Sequence, residues 1–206
     1  MPTEKIPDII ISRLPIYLRA LQRMTEKGIQ TTSSQELGER VGISAAQIRK
    51  DLSQFGEFGK QGTGYYIPFL MDKIRSILKV DRIWDVAIVG MGDVGHAVAR
   101  YTGFTNRGFQ VTLLFDADPA KVGQRVGDLE IKSMDVMISE IRRNNVKIAM
   151  LAVPAAAAQE VANSLVEAGV KAILNYAPIS LSVPPDVRVQ YIDPAIGLQR
   201  MTYYID

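Results

Sequence analysis

The residues best suited to chemistry in this sequence form a glycine-rich turn after a short apolar run. Residues 86–89, V-A-I-V, precede Gly90, Gly92 and Gly95 in the spacing G-x-G-x-x-G, and an alanine- and valine-rich segment follows. In this pattern the first glycine allows a sharp turn, the second allows close approach of a pyrophosphate, and the third allows tight helix packing. The N–H groups that open the following helix would face the phosphates. The candidate cofactor-binding residues of this turn are Gly90, Met91, Gly92, Asp93, Val94 and Gly95.

A carboxylate follows these glycines at the distance at which dinucleotide-binding units hold the adenosine ribose. A second apolar run, residues 111–115, ends in Asp116, about 20 residues beyond the glycines. No arginine comes directly after it to receive a 2′-phosphate, which favours NAD(H) over NADP(H). Asp116 could instead cap a following helix, but Asp118 and Pro119 already supply an N-cap and a first helical residue.

The segments after residue 80 alternate between strand-like and helical patterns. Apolar runs at residues 86–89, 111–115, 148–153, 172–174 and 189–192, with helices between them, predict an α/β fold with a parallel doubly wound sheet. Ligands bind such sheets beyond the carboxyl ends of the strands.

Two of those strand ends are nearly all apolar. Their residues are Val153, Pro154, Asn175, Tyr176, Ala177 and Pro178, which include no carboxylate and no histidine. They are equally consistent with packed loops, but a flat neutral ring would fit there.

Composition excludes several classes of protein. The 206 residues, 47% of them hydrophobic, suffice for one large or two small domains. No apolar run approaches the ~20 residues of a membrane span, and the N-terminus lacks a signal-peptide pattern. With no cysteine and one histidine, disulfides, thiolate sites and multi-histidine metal sites are excluded. We therefore expect a cytoplasmic protein without a metal.

Charge is divided unevenly between the two halves. Residues 1–79 carry 12 Lys and Arg against 8 Asp and Glu, whereas residues 80–206 carry 12 against 14. A basic front half and a slightly acidic back half suggest two domains with different partners.

The basic half contains a helix-turn-helix pattern. A helical periodicity over residues 9–27 is expected to bend or restart at Pro15. Residues 33–36, S-S-Q-E, form a capping box, Gly42 lies in a tight turn, and Ser44 opens the next helix.

This next helix, over residues 45–55, has two distinct faces. Ile48, Leu52 and Phe55 would be buried, whereas Ala46, Lys50 and Ser53 point the opposite way, flanked by Gln47, Gln54 and Arg49. Cationic, amide and hydroxyl groups suit the reading of base edges and phosphates in a major groove. A plain solvated face is the alternative.

Residues 58–67 resemble a hairpin around a glycine-rich tip, the wing of a winged helix. Lys60 and the backbone of Gly62 and Gly64 could approach DNA there. A helix from Pro68 to Lys79 follows, and the domain boundary falls near Val80.

These motifs together resemble one family, the bacterial redox-sensing transcriptional repressors called Rex. The resemblance covers essentially the whole chain. Its most specific segments are R-L-P-I-Y-L-R (13–19), Q-I-R-K-D-L-S-Q-F-G (47–56), G-T-G-Y (62–65), V-G-M-G-D-V-G (89–95) and I-L-N-Y-A-P (173–178).

The resemblance implies a repressor rather than an enzyme. A winged-helix domain (residues 1–80) would bind an inverted-repeat operator as a homodimer, and a Rossmann domain (81–192) would sense NADH against NAD⁺. A C-terminal segment (193–206) would carry a helix, residues 194–204, that is exchanged between subunits.

The resemblance also implies roles for single residues. Arg49 and Lys50 would contact DNA, Tyr101 would lie near the nicotinamide, and Arg19 would meet Asp193 of the partner subunit in a contact sensitive to ligand state. The candidate DNA-binding residues are Ser44, Ala46, Gln47, Arg49, Lys50, Ser53, Lys60, Gly62 and Tyr65.

Two other functions remain open from the sequence. A small NAD-dependent dehydrogenase would need a proton donor or acceptor, and the predicted crevice offers only Tyr176, Tyr101 and Asp93. Alternatively, the sheet could bind another adenine nucleotide, such as a coenzyme A derivative.

Overall fold

The computed structural model describes residues 6–59 and 64–205. It divides the chain into two compact units, Met1–Arg82 and Ile83–Asp206. The division falls close to the boundary at residue 80 expected from the sequence.

The described residues of the first unit form four helices around one core. They are α1 (Asp8–Glu26), α2 (Ser34–Val41), α3 (Ala45–Ser53) and α4 (Ile67–Ile77). Leu14, Tyr17, Leu37, Ile48 and Ile74 are fully buried between them, because each helix carries its apolar residues on one face.

Helix α1 runs through Pro15 without interruption, so the expected restart there is wrong. A proline inside a helix removes one N–H donor, and the ring of Pro15 lies on the exposed side. The apolar contacts on both sides of Pro15 therefore hold a single helix.

The caps of the helix-turn-helix follow the sequence pattern. The Ser33 Oγ accepts the N–H of Glu36 at 3.0 Å, and the Ser44 Oγ accepts the N–H of Gln47 at 3.2 Å. Gly42 ends α2 with φ of +71°, a left-handed conformation that glycine adopts readily.

The predicted wing differs from the structure in its strand pairing. Strand β2 (Tyr65–Tyr66) pairs antiparallel with β1 (Thr31–Thr32), not with a strand at Phe58, and residues 58–59 form no strand. A Cβ on Gly64 would collide with the Thr32 carbonyl, so glycine lets the two backbones meet. Lys60 and Gly62 lie outside the described residues.

The second unit is a seven-stranded sheet in the order β5-β6-β4-β3-β7-β8-β9. Its pairs are parallel except for β5 with β6. The strands are β3 (Trp84–Val89), β4 (Phe109–Asp116), β5 (Arg125–Val126), β6 (Leu129–Ser133), β7 (Ile148–Leu151), β8 (Ala172–Asn175) and β9 (Arg188–Tyr191).

The helices of this unit are α5 (Asp93–Ala99), α6 (Met137–Arg143), α7 (Ala155–Glu167) and α8 (Pro194–Thr202). Two short 3₁₀ helices, Thr102–Arg107 and Met134–Val136, complete the connections. Alternate residues of β3 point to opposite faces of the sheet: Ala87 and Val89 pack with α6 and α7, whereas Val86 and Ile88 face the other apolar layer.

The expected alternation of strands and helices differs from the structure in two places: an unpredicted hairpin precedes α6, and the helix expected between residues 174 and 189 is wrong. After Asp116 the chain makes a turn and the β5–β6 hairpin, whose tip contains Gly127 with φ of +60°. Between β8 and β9 the chain carries Pro178, Pro184 and Pro185 and forms no helix.

Within residues 6–59 and 64–205, no helix combines the length and apolar character needed to cross a membrane. The same residues contain no group of three or more His, Cys, Asp or Glu side chains placed to hold a metal ion.

Candidate functional site

Two of the three motif glycines hold the turn after β3 against neighbouring backbone. Gly90 has φ of +94°, and a Cβ there would collide with the carbonyl oxygen of Ala152. A Cβ on Gly95 would collide with the carbonyl oxygen of Gly90. Gly95 and Met91 are buried, so they support the turn from behind instead of facing a ligand.

Gly92 is different, because a Cβ built on it meets no atom within 4 Å. It opens onto a cavity of about 610 Å³ beyond the carboxyl ends of β3, β4 and β7. Of the residues predicted from the sequence, the cavity is lined by Gly90, Gly92, Asp93, Val94, Asp116, Val153 and Pro154.

The cavity also has walls that the sequence reasoning missed. They are Ala117, Asp118, Lys121, Met134, Ala152, Ala157 and Val161. Met134, Ala157 and Val161 give it an apolar side, and Asp116 with Lys121 gives it a polar one. An apolar slot beside hydrogen-bonding groups fits the adenosine half of a dinucleotide.

Asp116 is nearly buried and ties β4 to the glycine turn. Its Oδ2 accepts the N–H of Met91 at 2.6 Å, its Oδ1 accepts the N–H of Asp118 at 2.8 Å, and the Lys121 ammonium lies 3.3 Å from Oδ2. Burial alone would raise the pKa of this carboxyl, but these hydrogen bonds outweigh it and lower the pKa. Asp116 is therefore a fixed negative charge in the cavity wall.

We expect NADPH to bind at least about tenfold more weakly than NADH, because Asp116 and the exposed Asp118 repel a 2′-phosphate. Lys121 offsets part of this repulsion, so Lys121→Ala is expected to widen the difference. Competitive binding of NADH and NADPH to the unaltered protein and to Lys121→Ala measures this difference in affinity. Equal affinity of the unaltered protein for NADH and NADPH would contradict the assignment of Asp116 to the ribose.

The strand-end residues after β8 do not line this cavity. Asn175 is fully buried; its amide donates to the carbonyls of Ala177 and Ile179, and its Oδ1 accepts the N–H of Ala177. Its polar side chain therefore stabilises the loop from inside. Ala177 is buried and Pro178 is exposed.

Tyr176 packs against the apolar layer of Val86 and Ile88, and Tyr101 contacts Phe104, whose ring packs against the same layer. The half-buried Tyr176 packs in the apolar layer that contains Phe104, and burial raises the pKa of its hydroxyl. Tyr101 is exposed and meets the Phe104 ring edge-on, with 4.9 Å between centroids. A role for either ring at a nicotinamide stays a prediction.

Helix α3 presents the predicted polar face to solvent. Ser44, Ala46, Arg49, Lys50 and Ser53 are all exposed, whereas Ile48 and Leu52 are buried. The Arg49 guanidinium donates to the Ser34 Oγ at 2.9 Å, at the start of α2. Tyr65 is half-buried in β2.

A buried carboxylate on the same helix was not predicted. Asp51 is fully buried and accepts hydrogen bonds from Arg13, Tyr17 and Gln47. Burial alone would raise the pKa of Asp51, but these hydrogen bonds hold it below its ordinary value. Burial and the contact with Asp51 together raise the pKa of the Tyr17 hydroxyl.

Replacing Lys50 with alanine is expected to weaken DNA binding, because it removes an exposed cation from the face opposite Ile48 and Leu52. Loss of one phosphate contact lowers the slope of log K against log salt by about 1. Anisotropy titrations of a labelled duplex at several salt concentrations measure this slope. Lys171→Ala, which removes an exposed lysine of the second unit, is the control. Unchanged affinity of the Lys50 variant would remove Lys50 from the interface.

The residues expected at the subunit contact lie in different units. Arg19 is exposed on α1, and the Asp193 carboxylate caps α8 by accepting the N–H of Ala195 at 2.9 Å. The apolar side chains of α8 are exposed: Ile196 by 63% and Leu198 by 63%. The contact between Arg19 and Asp193 of the partner subunit stays a prediction.

Comparison with family models finds two matches. Residues 5–53 match a model described as a putative DNA-binding protein N-terminus, and residues 81–179 match a CoA binding domain. Among curated proteins, the chain is 54% identical over 203 residues to the redox-sensing transcriptional repressor Rex of Chloroflexus aggregans, covering 98% of this chain and 96% of that protein. It is 44% identical to Rex of Carboxydothermus hydrogenoformans, covering 98% and 97%.

Solved structures agree with these sequence matches. The chain resembles RSP in complex with β-NAD⁺ and operator DNA with a TM-score of 0.93 at 37% identity, covering 98% of this chain and 93% of that one. It resembles RSP in complex with β-NADH with a TM-score of 0.89 at 35% identity, covering 98% and 95%. RSP is described as a Rex-family repressor.

Proposed function

The chain belongs to the Rex family of redox-sensing transcriptional repressors, and from this we propose that it binds an inverted-repeat operator as a homodimer and leaves it when NADH binds. The family resemblance and the winged-helix and Rossmann-type fold expected from the sequence are confirmed. The protein is a repressor, not an enzyme, as its curated relatives are named.

The observation that carries the proposal is the cavity between Gly92 and Asp116. Gly92 leaves open space where a pyrophosphate would lie, and Asp116 is held as an anion beside it. These residues suit the adenosine diphosphate part of NADH. In the other unit, Arg49 and Lys50 supply exposed cations for DNA.

We attribute the different effects of NADH and NAD⁺ on operator binding to the charge of the nicotinamide ring. The strand-end residues at which we place the nicotinamide ring, Val153, Pro154 and Pro178, include no carboxylate that could pair with the cationic ring of NAD⁺. Burial of an unpaired charge is unfavourable. We therefore propose that the neutral ring of NADH favours a conformation in which the crevice around the ring is closed and the affinity for the operator is low.

Exposed apolar residues on α8 support the homodimer. Ile196, Leu198 and Met201 are each more than half exposed, which is unusual for an apolar cluster of a monomer. A second copy that exchanges this helix would cover them. Two such subunits related by a two-fold axis match an inverted repeat.

We assign residues 1–80 to DNA binding, 81–192 to NAD(H) binding and 193–206 to the dimer contact. Cytoplasmic location is part of the same proposal, since operator DNA and NADH occur there together.

One alternative ligand has support from the CoA binding domain model that matches residues 81–179. Coenzyme A shares the adenine and phosphate groups that the cavity suits. A direct comparison of nucleotides separates the two possibilities.

The test is an anisotropy titration on a duplex selected by this protein from a randomised inverted-repeat pool. NADH is expected to release the duplex, whereas equal concentrations of NAD⁺ and of coenzyme A are not. Release by coenzyme A alone would favour the alternative, and failure to select any duplex would contradict the DNA-binding role.

A further inference from the structure

The buried carboxylate of Asp51 connects the core of the first unit to its DNA-facing helix. It lies on α3 with no exposed surface, four residues beyond Gln47 and one turn of helix away. An ionised carboxylate is buried only where its oxygens are paired and hydrogen-bonded. Its partners therefore show what it holds in place.

Four hydrogen bonds satisfy the two oxygens of Asp51. Arg13 donates from Nε to Oδ2 and from Nη2 to Oδ1, both at 2.6 Å, and the Tyr17 hydroxyl donates to Oδ2 at 2.6 Å. The Gln47 Nε2 donates to Oδ1 at 2.7 Å. Arg13 and Tyr17 belong to α1, so the carboxylate is fixed from the core side.

The fixed carboxylate determines the orientation of the Gln47 amide. A carboxylate is only an acceptor, so the amide must present its nitrogen to Asp51. No other described residue bonds the Gln47 Oε1. Because Gln47 lies at the flank of the exposed face of α3, one N–H and the Oε1 acceptor remain available on that side.

We propose that Asp51 is a positioning residue for base recognition: it locks the Gln47 amide so that Gln47 reads an adenine in the major groove. Adenine offers an N6 donor to Oε1 and an N7 acceptor to the remaining N–H, whereas thymine and guanine offer acceptors where Oε1 needs a donor. Cytosine offers the donor alone. This inference rests on the proposed binding of DNA by α3.

A purely structural role for Asp51 has a different consequence. If the network only stabilised the helices, its loss would lower the affinity for every duplex by the same factor. A positioning role changes the preference at one position. The ratio of affinities for different bases therefore distinguishes the two.

The probe is the duplex selected from a randomised inverted-repeat pool, together with a panel in which each position is replaced in turn in both half-sites. The unaltered protein is expected to prefer adenine over guanine by about tenfold or more at one position per half-site. Gln47→Ala is expected to abolish that preference and leave the others unchanged.

Asp51→Asn is the decisive variant. Its single side-chain oxygen fits the Oδ2 position, where Arg13 Nε and the Tyr17 hydroxyl donate. Its amide nitrogen then takes the Oδ1 position, where the bond from Arg13 Nη2 is lost and Gln47 must turn its oxygen inward. The Gln47 donors then face DNA, and the adenine-to-guanine preference is expected to fall to about parity or below. Leu70→Ala, which opens a cavity in the same core and removes none of these hydrogen bonds, is the control for lost stability, with an unchanged ratio.

Each outcome for these variants either supports or overturns the proposal. If Asp51→Asn loses the same base preference that Gln47→Ala loses, the proposal is supported. If Asp51→Asn instead weakens binding to every duplex by the same factor, the proposal is overturned. If Asp51→Asn does not fold, the base preference that Gln47→Ala loses still tests the proposal. A lost preference for guanine or thymine, instead of adenine, would contradict the fixed orientation of the Gln47 amide. If the unaltered protein selects no duplex, the proposed function itself fails.

Discussion

We expect a protein carrying Gly92→Val to bind operator DNA about as tightly without NADH as at an NADH concentration that just saturates the unaltered protein. The backbone at Gly92 has φ of −81°, which valine can adopt, and a Cβ there meets no protein atom. The valine methyl groups would nevertheless fill the space needed by the pyrophosphate. Overpacking of about 1–3 kcal/mol predicts a loss of NADH affinity of up to about a hundredfold.

Gly95→Val provides the contrast for this variant. A Cβ on Gly95 collides with the Gly90 carbonyl, so this change should lower the melting temperature of the protein, whereas Gly92→Val should not. NADH fluorescence titration and thermal unfolding of both variants check the pair. Normal NADH affinity of Gly92→Val would show that the phosphates lie elsewhere.

The second large effect is the release of DNA. Saturating NADH is expected to lower operator affinity about a hundredfold, which requires about 2.7 kcal/mol of coupling between the two sites. A ligand shifts this equilibrium only by binding one state more tightly than the other. We attribute that difference to the nicotinamide ring, because the charged ring of NAD⁺ would be buried less readily than the neutral ring of NADH against apolar strand ends.

Anisotropy titrations of the selected duplex with no nucleotide, NADH or NAD⁺ measure this release. Salt concentration must be held constant, since phosphate contacts make DNA affinity strongly salt-dependent. Equal release by NAD⁺ would contradict the role of ring charge. Gly92→Val, measured at the NADH concentration that just saturates the unaltered protein, serves as the unresponsive control.

Much of the nucleotide site could be predicted because its chemistry is local. Gly90, Gly92 and Gly95 lie close together in the sequence, and the spacing of the motif indicates the role of each glycine in the backbone. The contribution of Ala157 and Val161 to the cavity wall was harder to predict, because it depends on where α7 packs in the folded protein. Their spacing of four residues on a helix after a strand end was the available signal.

The hairpin after Asp116 shows a different limit. Residues 118–124 look like the start of a helix because Asp118 and Pro119 resemble a cap, but pairing of Leu114 with Ile131 extends the sheet instead. The Gly127-Asp128 turn between Val126 and Leu129 was a hairpin signal. Tertiary pairing outweighed local preference.

Asp51 and Asn175 show why polar residues are the hardest to place. Asp51 falls on the apolar side of α3, and only the packing of α1 reveals Arg13 and Tyr17 as its partners. Asn175 comes at a strand end, where a ligand contact was expected, yet its hydrogen bonds stabilise its own loop. The sequence shows which polar residues need partners but not which partners they find.

We propose that one protein couples the binding of NADH to the binding of operator DNA. Because coupling is reciprocal, saturating operator duplex must weaken NADH binding by the same factor by which NADH weakens operator binding. Calorimetric titration of NADH into the protein with and without the duplex measures this factor directly. We predict an affinity about a hundredfold lower with the duplex present. Equal NADH affinities in the two titrations would contradict this coupling, because the nucleotide would then bind without acting on DNA.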